Sequence, residues 1–310
     1  VPTRDSPPIR HEGAGLAFAI AAYGLWGFLP AYFLLLAPSS PFEVVAFRIL
    51  MSLIFCSILI SATRAWRPFW HLARQPRVLG IMAIAGGLIY INWQVFVLAV
   101  LDGQVVEGSL GYFINPIVTV LLGVIFLHER LRPAQWAALG LAAVAVVVIA
   151  VGYGTFPWVA LTLAFSFALY GFIKKKVGAQ VDAVSGLTLE TALITPIAIV
   201  QLIVVGATVG LAFGQSGVGH AAAMVGTGVV TAVPLLLFAA AARRLSLVAI
   251  GLTQFLAPVL QFLFGVVVLH EAMPPGRWIG FALVWIALIV LTVDMVAGAR
   301  GSRRASIVPV

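Results

Sequence analysis

Two His–Glu pairs, His128–Glu129 and His270–Glu271, are the residues in this chain whose types most readily suggest catalysis. A zinc protease needs HExxH, which sets two histidines a helical turn apart on one face with the glutamate as general base. The fifth position holds Arg132 after the first pair and Pro274 after the second, so that chemistry fails. No GxSxG elbow, Walker loop or cysteine-based metal spacing occurs, and Cys56 is the single cysteine. The sequence therefore offers no catalytic set, no metal site and no cofactor.

Two charges stand inside apolar runs, Arg48 and Glu190. A charge at the centre of a bilayer costs about 2.5–3.5 kcal/mol on insertion scales, so each needs a reason. Arg48 lies about six residues, ~9 Å, inside the outer end of its helix. Its long stem either snorkels outward or its guanidinium holds an anionic part of a solute. Glu190 lies at the mirrored depth from the opposite face. It either hydrogen-bonds a neighbouring helix or, with burial favouring its neutral form, takes and releases a proton and couples solute flux to a proton gradient. The two charges are offset by ~12 Å along the membrane normal and are not expected to pair.

Around them is a sparse set of polar and aromatic residues: Tyr23 and Trp26, Asn92 and Trp93, Tyr112 and Asn115, Gln254 and Gln261. Packing explains each one alone. Their concentration in four apolar segments points to a mostly apolar cavity with a few polar groups, as a solute site requires. Proline falls within several apolar runs, and Pro116 and Pro258 occupy matched positions. Each removes a backbone hydrogen bond, giving either a static bend or a hinge.

The elements that must position these residues follow from composition. The chain has 310 residues, 62% of them hydrophobic and 9% charged. That is far below the roughly 25% charged residues of a soluble domain, so the chain is an integral membrane protein. Its net charge of +8 does not imply nucleic acid, because the basic residues fall in short loops where membrane topology places them. Ten apolar segments are long enough to span, at 13–35, 42–62, 78–101, 105–127, 133–152, 157–176, 184–207, 221–242, 246–269 and 276–297. The first is too long for a typical signal-peptide core, and no cleavage is expected. Sixteen of the eighteen Lys and Arg residues lie in the termini and in alternate loops, which places both termini in the cytoplasm.

Residues 110–151 and 252–293, set 142 apart, match at 15 of 42 positions. The matches include Pro116/Pro258, Gly123/Gly265, His128/His270 and Glu129/Glu271. A repeat of five helices is odd in number, so the second copy enters from the opposite face. The expected fold is all-α: ten transmembrane helices as two inverted five-helix repeats around a central cavity. Residues 1–12 form an N-tail, 13–152 the first repeat, 153–297 the second and 298–310 a basic C-tail. The fifth and tenth spans carry few polar groups and are expected at the periphery, against lipid or a second copy in a homodimer.

Five stretches carry a family resemblance: AYGLWGFLPAYF (22–33), EGSLGYFINP (107–116), LAFSFALYGFIKKK (163–176), GLTLET (186–191) and TAVPLLLFAAAARRLSL (231–247). They resemble the RarD-type branch of the EamA group in the drug/metabolite transporter superfamily, over nearly the whole membrane part. The resemblance implies a ten-helix inner-membrane permease with cytoplasmic termini and a central cavity. The chain departs at Leu34, where these proteins often carry Lys, so a substrate contact through that Lys has no counterpart here. The expected function is a secondary transporter of a small organic metabolite or drug-like solute, with proton coupling among its expected energy sources. A passive facilitator is the alternative, and an intramembrane enzyme or receptor lacks a catalytic set.

Overall fold

The protein is described by a computed structural model covering residues 9–153, 157–273, 275, 278–283, 285–287, 289–290 and 293. Among these residues the secondary structure is helical throughout, with no strand. The elements are α1 (Ile9–Gly27), α2 (Leu29–Leu34), α3 (Pro41–Ala62), α4 (Trp66–Ala73), α5 (Pro76–Leu101) and α6 (Val105–Leu127). They continue as α7 (Pro133–Tyr153), α8 (Trp158–Val177), α9 (Ala183–Thr208), α10 (Gly217–Ala242), α11 (Leu247–Thr253) and α12 (Leu256–Leu263). A π-turn at Phe264–Val268 extends α12. Polar side chains start several helices. Ser40, Asp182 and Ser246 accept the backbone N–H groups of Glu43, Ser185 and Ala249, donors that a helix leaves without partners in its first turn.

Among the described residues, eight stretches are long and apolar enough to cross a membrane. The expected fifth span is α7, of 21 residues, and the expected tenth contributes a shorter apolar helix at Trp278–Ala287. Most of the rest of the tenth span, and the C-tail, lie outside the described residues. So do residues 1–8, and the first helix begins at Ile9 rather than 13. The outward faces are apolar: on α9, Val200, Ile203 and Val204 are all more than half exposed, as a lipid-facing surface requires.

The basic connector after α3 holds an element that the sequence reading missed. α4 buries Phe69 and exposes Trp70, whose ring stacks on Trp66. It carries Arg67 and His71 on a helix too short to span. That pattern suits a helix lying in the headgroup region, aromatic side down and basic side out.

α3 packs on α9 and α10, α6 on α8 and α11–α12, α5 on α8 and α9, and α1 on α10 and α12. Small residues permit the closest crossings. A Cβ on Gly228 of α10 would lie 2.5 Å from the backbone carbonyl of Met51 in α3. Backbone cannot give way as a flexible side chain can, so Gly228→Ala must push the two helices apart. The expected cost is about 1–3 kcal/mol, read as a lower melting temperature in detergent. An unchanged melt would show that the crossing is loose.

The His–Glu pairs finish helices and clasp distant ones. His128 ends α6 in the left-handed region, with φ of 54°. The following Glu129 N–H donates to the Gly123 carbonyl six residues back at 3.1 Å, satisfying a carbonyl that the helix end leaves without a partner. The Glu129 carboxylate then crosses to the start of α11, where it accepts the N–H groups of Leu247 and Val248, both at 2.8 Å. The second pair repeats every step. His270 has φ of 54°, and the Glu271 N–H donates to Gly265 at 3.0 Å. The Glu271 carboxylate accepts from Val105 at 3.1 Å and Val106 at 3.0 Å, at the start of α6. Because α6 starts beside the end of the π-turn and ends beside the start of α11, the two clasps sit at opposite ends of the bundle. Gly123 and Gly265 are seats for them: a Cβ there would stand 3.1 Å from Glu129 and 3.4 Å from Glu271 carboxylate oxygens. A third carboxylate, fully buried Glu43, accepts from Ala212 and Phe213 at 3.1 and 2.9 Å.

Candidate solute cavity

The centre of the bundle holds a cavity. Its wall is built from Tyr23, Trp26 and Leu29 of α1–α2, Arg48 of α3, and Asn92, Trp93 and Phe96 of α5. Tyr112 and Asn115 of α6, Phe167 of α8, Gln254, and Ala257, Pro258 and Gln261 of α12 complete it. Nine of the polar, charged and aromatic residues singled out from the sequence thus meet around one space. No described residue of α7 and none of 278–293 lines it.

Helix geometry explains the convergence. Asn92 and Trp93 lie mid-way along α5, and Phe96 follows one turn on, so one face presents all three. Asn92 ties three helices together. Its Nδ2 donates to the Leu163 carbonyl at 3.1 Å and to Ser166 Oγ at 3.0 Å, and its Oδ1 accepts from the Tyr112 hydroxyl at 3.0 Å. Asn115 donates to the Ala164 carbonyl at 2.8 Å. These amides have spent most of their hydrogen-bonding capacity on the wall itself, fixing α5, α6 and α8 around the space.

The matched prolines differ in their surroundings. α6 runs on through Pro116, and Gln254 and Phe255, which join α11 to α12, keep right-handed helical dihedrals, φ, ψ of −61°, −27° and −60°, −19°. Proline has no N–H for the carbonyl of the residue four before it, here Gln254, so the ladder loses a bond there while the chain continues as one span. Gln254 faces the cavity at that point, and Gln261, two turns on, donates to the Trp26 carbonyl at 3.0 Å. Pro258 lines the cavity and Pro116 does not.

Arg48 does not snorkel. It is 2% exposed, its Nε donates to Thr231 Oγ1 at 3.0 Å, and its guanidinium lies over the rings of Trp93 (4.6 Å) and Phe33 (4.9 Å). Glu190, read from the sequence as a coupling acid in the same set, stands outside the cavity wall. It is fully buried between α8 and α9, ion-paired to Lys174 at 2.6 Å and accepting from the Tyr170 hydroxyl at 3.1 Å. Lys174, counted among the loop cations, is itself only 6% exposed. A depth count held the signal: Glu190 lies seven residues into α9, ~10 Å, which a lysine one turn from the adjoining end of α8 can reach along its stem. Phe96 and Phe167 are wall residues that the sequence reading left out. Their sign was the aromatic spacing along α5 and α8.

A bundle of membrane-length helices around a buried polar and aromatic cavity is the architecture of a membrane carrier. Residues 13–151 match the EamA-like transporter family. Protein RarD of Streptomyces exfoliatus is 47% identical over 294 residues, covering 95% of this chain and 93% of that protein. Protein RarD of Escherichia coli (strain K12) is 38% identical over 286 residues, covering 92% and 96%. The Chloramphenicol-sensitive protein RarD of Pseudomonas aeruginosa is 30% identical over 308 residues, covering 96% and 100%. A solved crystal structure aligns with a TM-score of 0.65 at 20% identity, over 90% of this chain and 98% of the other, and supports the fold alone. The chain belongs to the EamA-like transporter family as a RarD-type permease.

Proposed function

We propose that this protein is a secondary transporter that moves a small organic solute across the bacterial inner membrane by alternating access, with the central cavity as its solute site. The observation that carries the reading is the cavity wall. Its residues come from 13–152 and from 153–297, so a relative movement of the two halves must reshape it. The inverted relation of the halves is supported by reciprocity: each His–Glu pair clasps a helix of the other half, one at each end of the bundle. The positive charge of alternate loops favours cytoplasmic termini, with the α4 end of the bundle inside.

Glu190 has a different part in this reading from the proton carrier first expected. Held by Lys174 and Tyr170 away from the cavity, it locks α9 to α8, and the solute site is left to Arg48 and the aromatic residues.

Purified protein in proteoliposomes, preloaded with unlabelled solute, is expected to take up labelled solute against its gradient in saturable counterflow. Flux without counterflow would identify a passive facilitator instead. Trp26 packs edge-on to Phe167, with ring centroids 5.3 Å apart, and faces the cavity. Trp26→Ala is therefore expected to weaken apparent affinity by about three- to tenfold, the worth of one aromatic contact. Unaltered uptake kinetics in that variant would move the solute site away from this cavity.

A further inference from the structure

We propose that the cavity is built for an organic monocarboxylate with a flat apolar body, its carboxylate held by Arg48. This rests on the reading of the cavity as the solute site and adds the charge class of the solute.

The argument begins with the two buried cations. Lys174 has a carboxylate partner at 2.6 Å. Arg48 is more deeply buried, yet the hydrogen bond from its Nε goes to a neutral hydroxyl, that of Thr231. Its Nη1 is buried and has no hydrogen-bond partner. Rings on two sides stabilise the cation but supply no acceptor in the guanidinium plane. No aspartate or glutamate is among the described residues that line the cavity. An unfilled charged donor in a buried site is costly, and an arriving carboxylate fits the guanidinium fork edge-on with two parallel hydrogen bonds. Arginine rather than lysine suits that geometry.

The same wall fixes the number of charges and the shape of the rest. One cation and no acid neutralise a single negative charge. A dianionic phosphate would leave surplus charge among apolar rings, and an ammonium group would find no counter-charge. Trp26, Trp93 and Phe167 offer ring faces and edges to a planar body. The side-chain carbonyl oxygens of Gln254 and Gln261 are also buried without hydrogen-bond partners, so a donor on that body has acceptors waiting.

The test uses three probes of similar size: phenylacetate, phenylacetamide and phenethylammonium. Binding to the full-length protein in detergent is read by thermal shift, and flux by uptake into proteoliposomes. Phenylacetate is expected to bind about tenfold or more tighter than the amide, with the amine weakest. Arg48→Gln is expected to bring acid and amide within about twofold of each other, while Arg48→Lys, which keeps the charge, retains the order. Monodisperse elution of both variants checks that they fold. Equal binding of acid and amide by the wild type, or an acid preference that survives in Arg48→Gln, overturns the proposal. So does a wider panel of aromatic and aliphatic monocarboxylates in which none binds. Acid preference without flux leaves the charge class standing and removes the transport reading. Saturable flux of the uncharged probe without acid preference does the reverse.

Discussion

Replacing Glu190 by Gln is expected to lower stability by about 3 kcal/mol, the lower end of what breaking a buried ion pair costs. Glu190 is fully buried and Lys174 nearly so, so solvent screens the pair little. Removing the carboxylate strands an ammonium between α8 and α9. The lower end applies because Lys174 is one turn from the end of its helix and can swing part of the way to water. Lys174→Gln combined with Glu190→Gln leaves no stranded charge and is expected to recover most of the loss. The two single changes therefore should not add, and a double-mutant cycle on melts in detergent measures the coupling. The outcome that sinks this account is a Glu190→Gln protein that melts like the wild type while its flux loses all pH dependence. That result would return Glu190 to the proton-carrying role.

The second large effect concerns the two clasps. Glu129→Ala removes two charge-assisted hydrogen bonds from the first turn of α11 and the negative charge that favours that end of the helix dipole. Glu271→Ala does the same to α6. Each is expected to cost about 2 kcal/mol, at the upper end of helix-capping effects. The sites lie at opposite ends of the bundle, so the double variant should lose about 4 kcal/mol, close to the sum. Each carboxylate is half-buried, and water can satisfy part of what is lost, which keeps the figure below that for Glu190. In the alternating-access reading each single change also biases the carrier. Glu129→Ala frees the end of the bundle at Leu247 and Glu271→Ala the end at Val105. In a Cys56→Ala background, cysteines placed one at a time beside Leu247 and Val105 should react faster with a membrane-impermeant maleimide at the freed end alone. Equal labelling at both ends in both variants would reduce the clasps to static caps.

Much of this protein is legible from its order of residues, and the reason is dimensional. A membrane span is a one-dimensional signal, since every backbone group is satisfied within its own helix and every side chain must suit lipid or a neighbour. Apolar runs therefore placed α3, α5, α6, α8, α9 and α10 within a few residues. The scarcity of polar groups singled out Arg48, Asn92, Trp93, Tyr112 and Gln261, which share one cavity wall. The repeat of Gly, His and Glu pointed to paired structures at 123–129 and 265–271. Depth along each helix follows too, because rise per residue is constant.

What the order of residues cannot carry is azimuth and neighbour. Glu190 and Arg48 had the same depth argument and opposite outcomes: one found Lys174, the other faces the cavity. That difference lies in how α8 and α9 are rotated against each other, which side-chain packing between helices sets. The same holds for the His–Glu pairs. Their chemistry read as a failed metal motif, because the donors they accept are backbone N–H groups of helices more than a hundred residues away. Pro116 and Pro258, matched in the repeat, part in their surroundings, since only Pro258 lines the cavity. In α4, the sequence supplied charge and tryptophan, and the fold supplied the surface on which Phe69 could be buried. Only tertiary structure decides these, because each depends on a contact whose partner is close in space and remote in sequence.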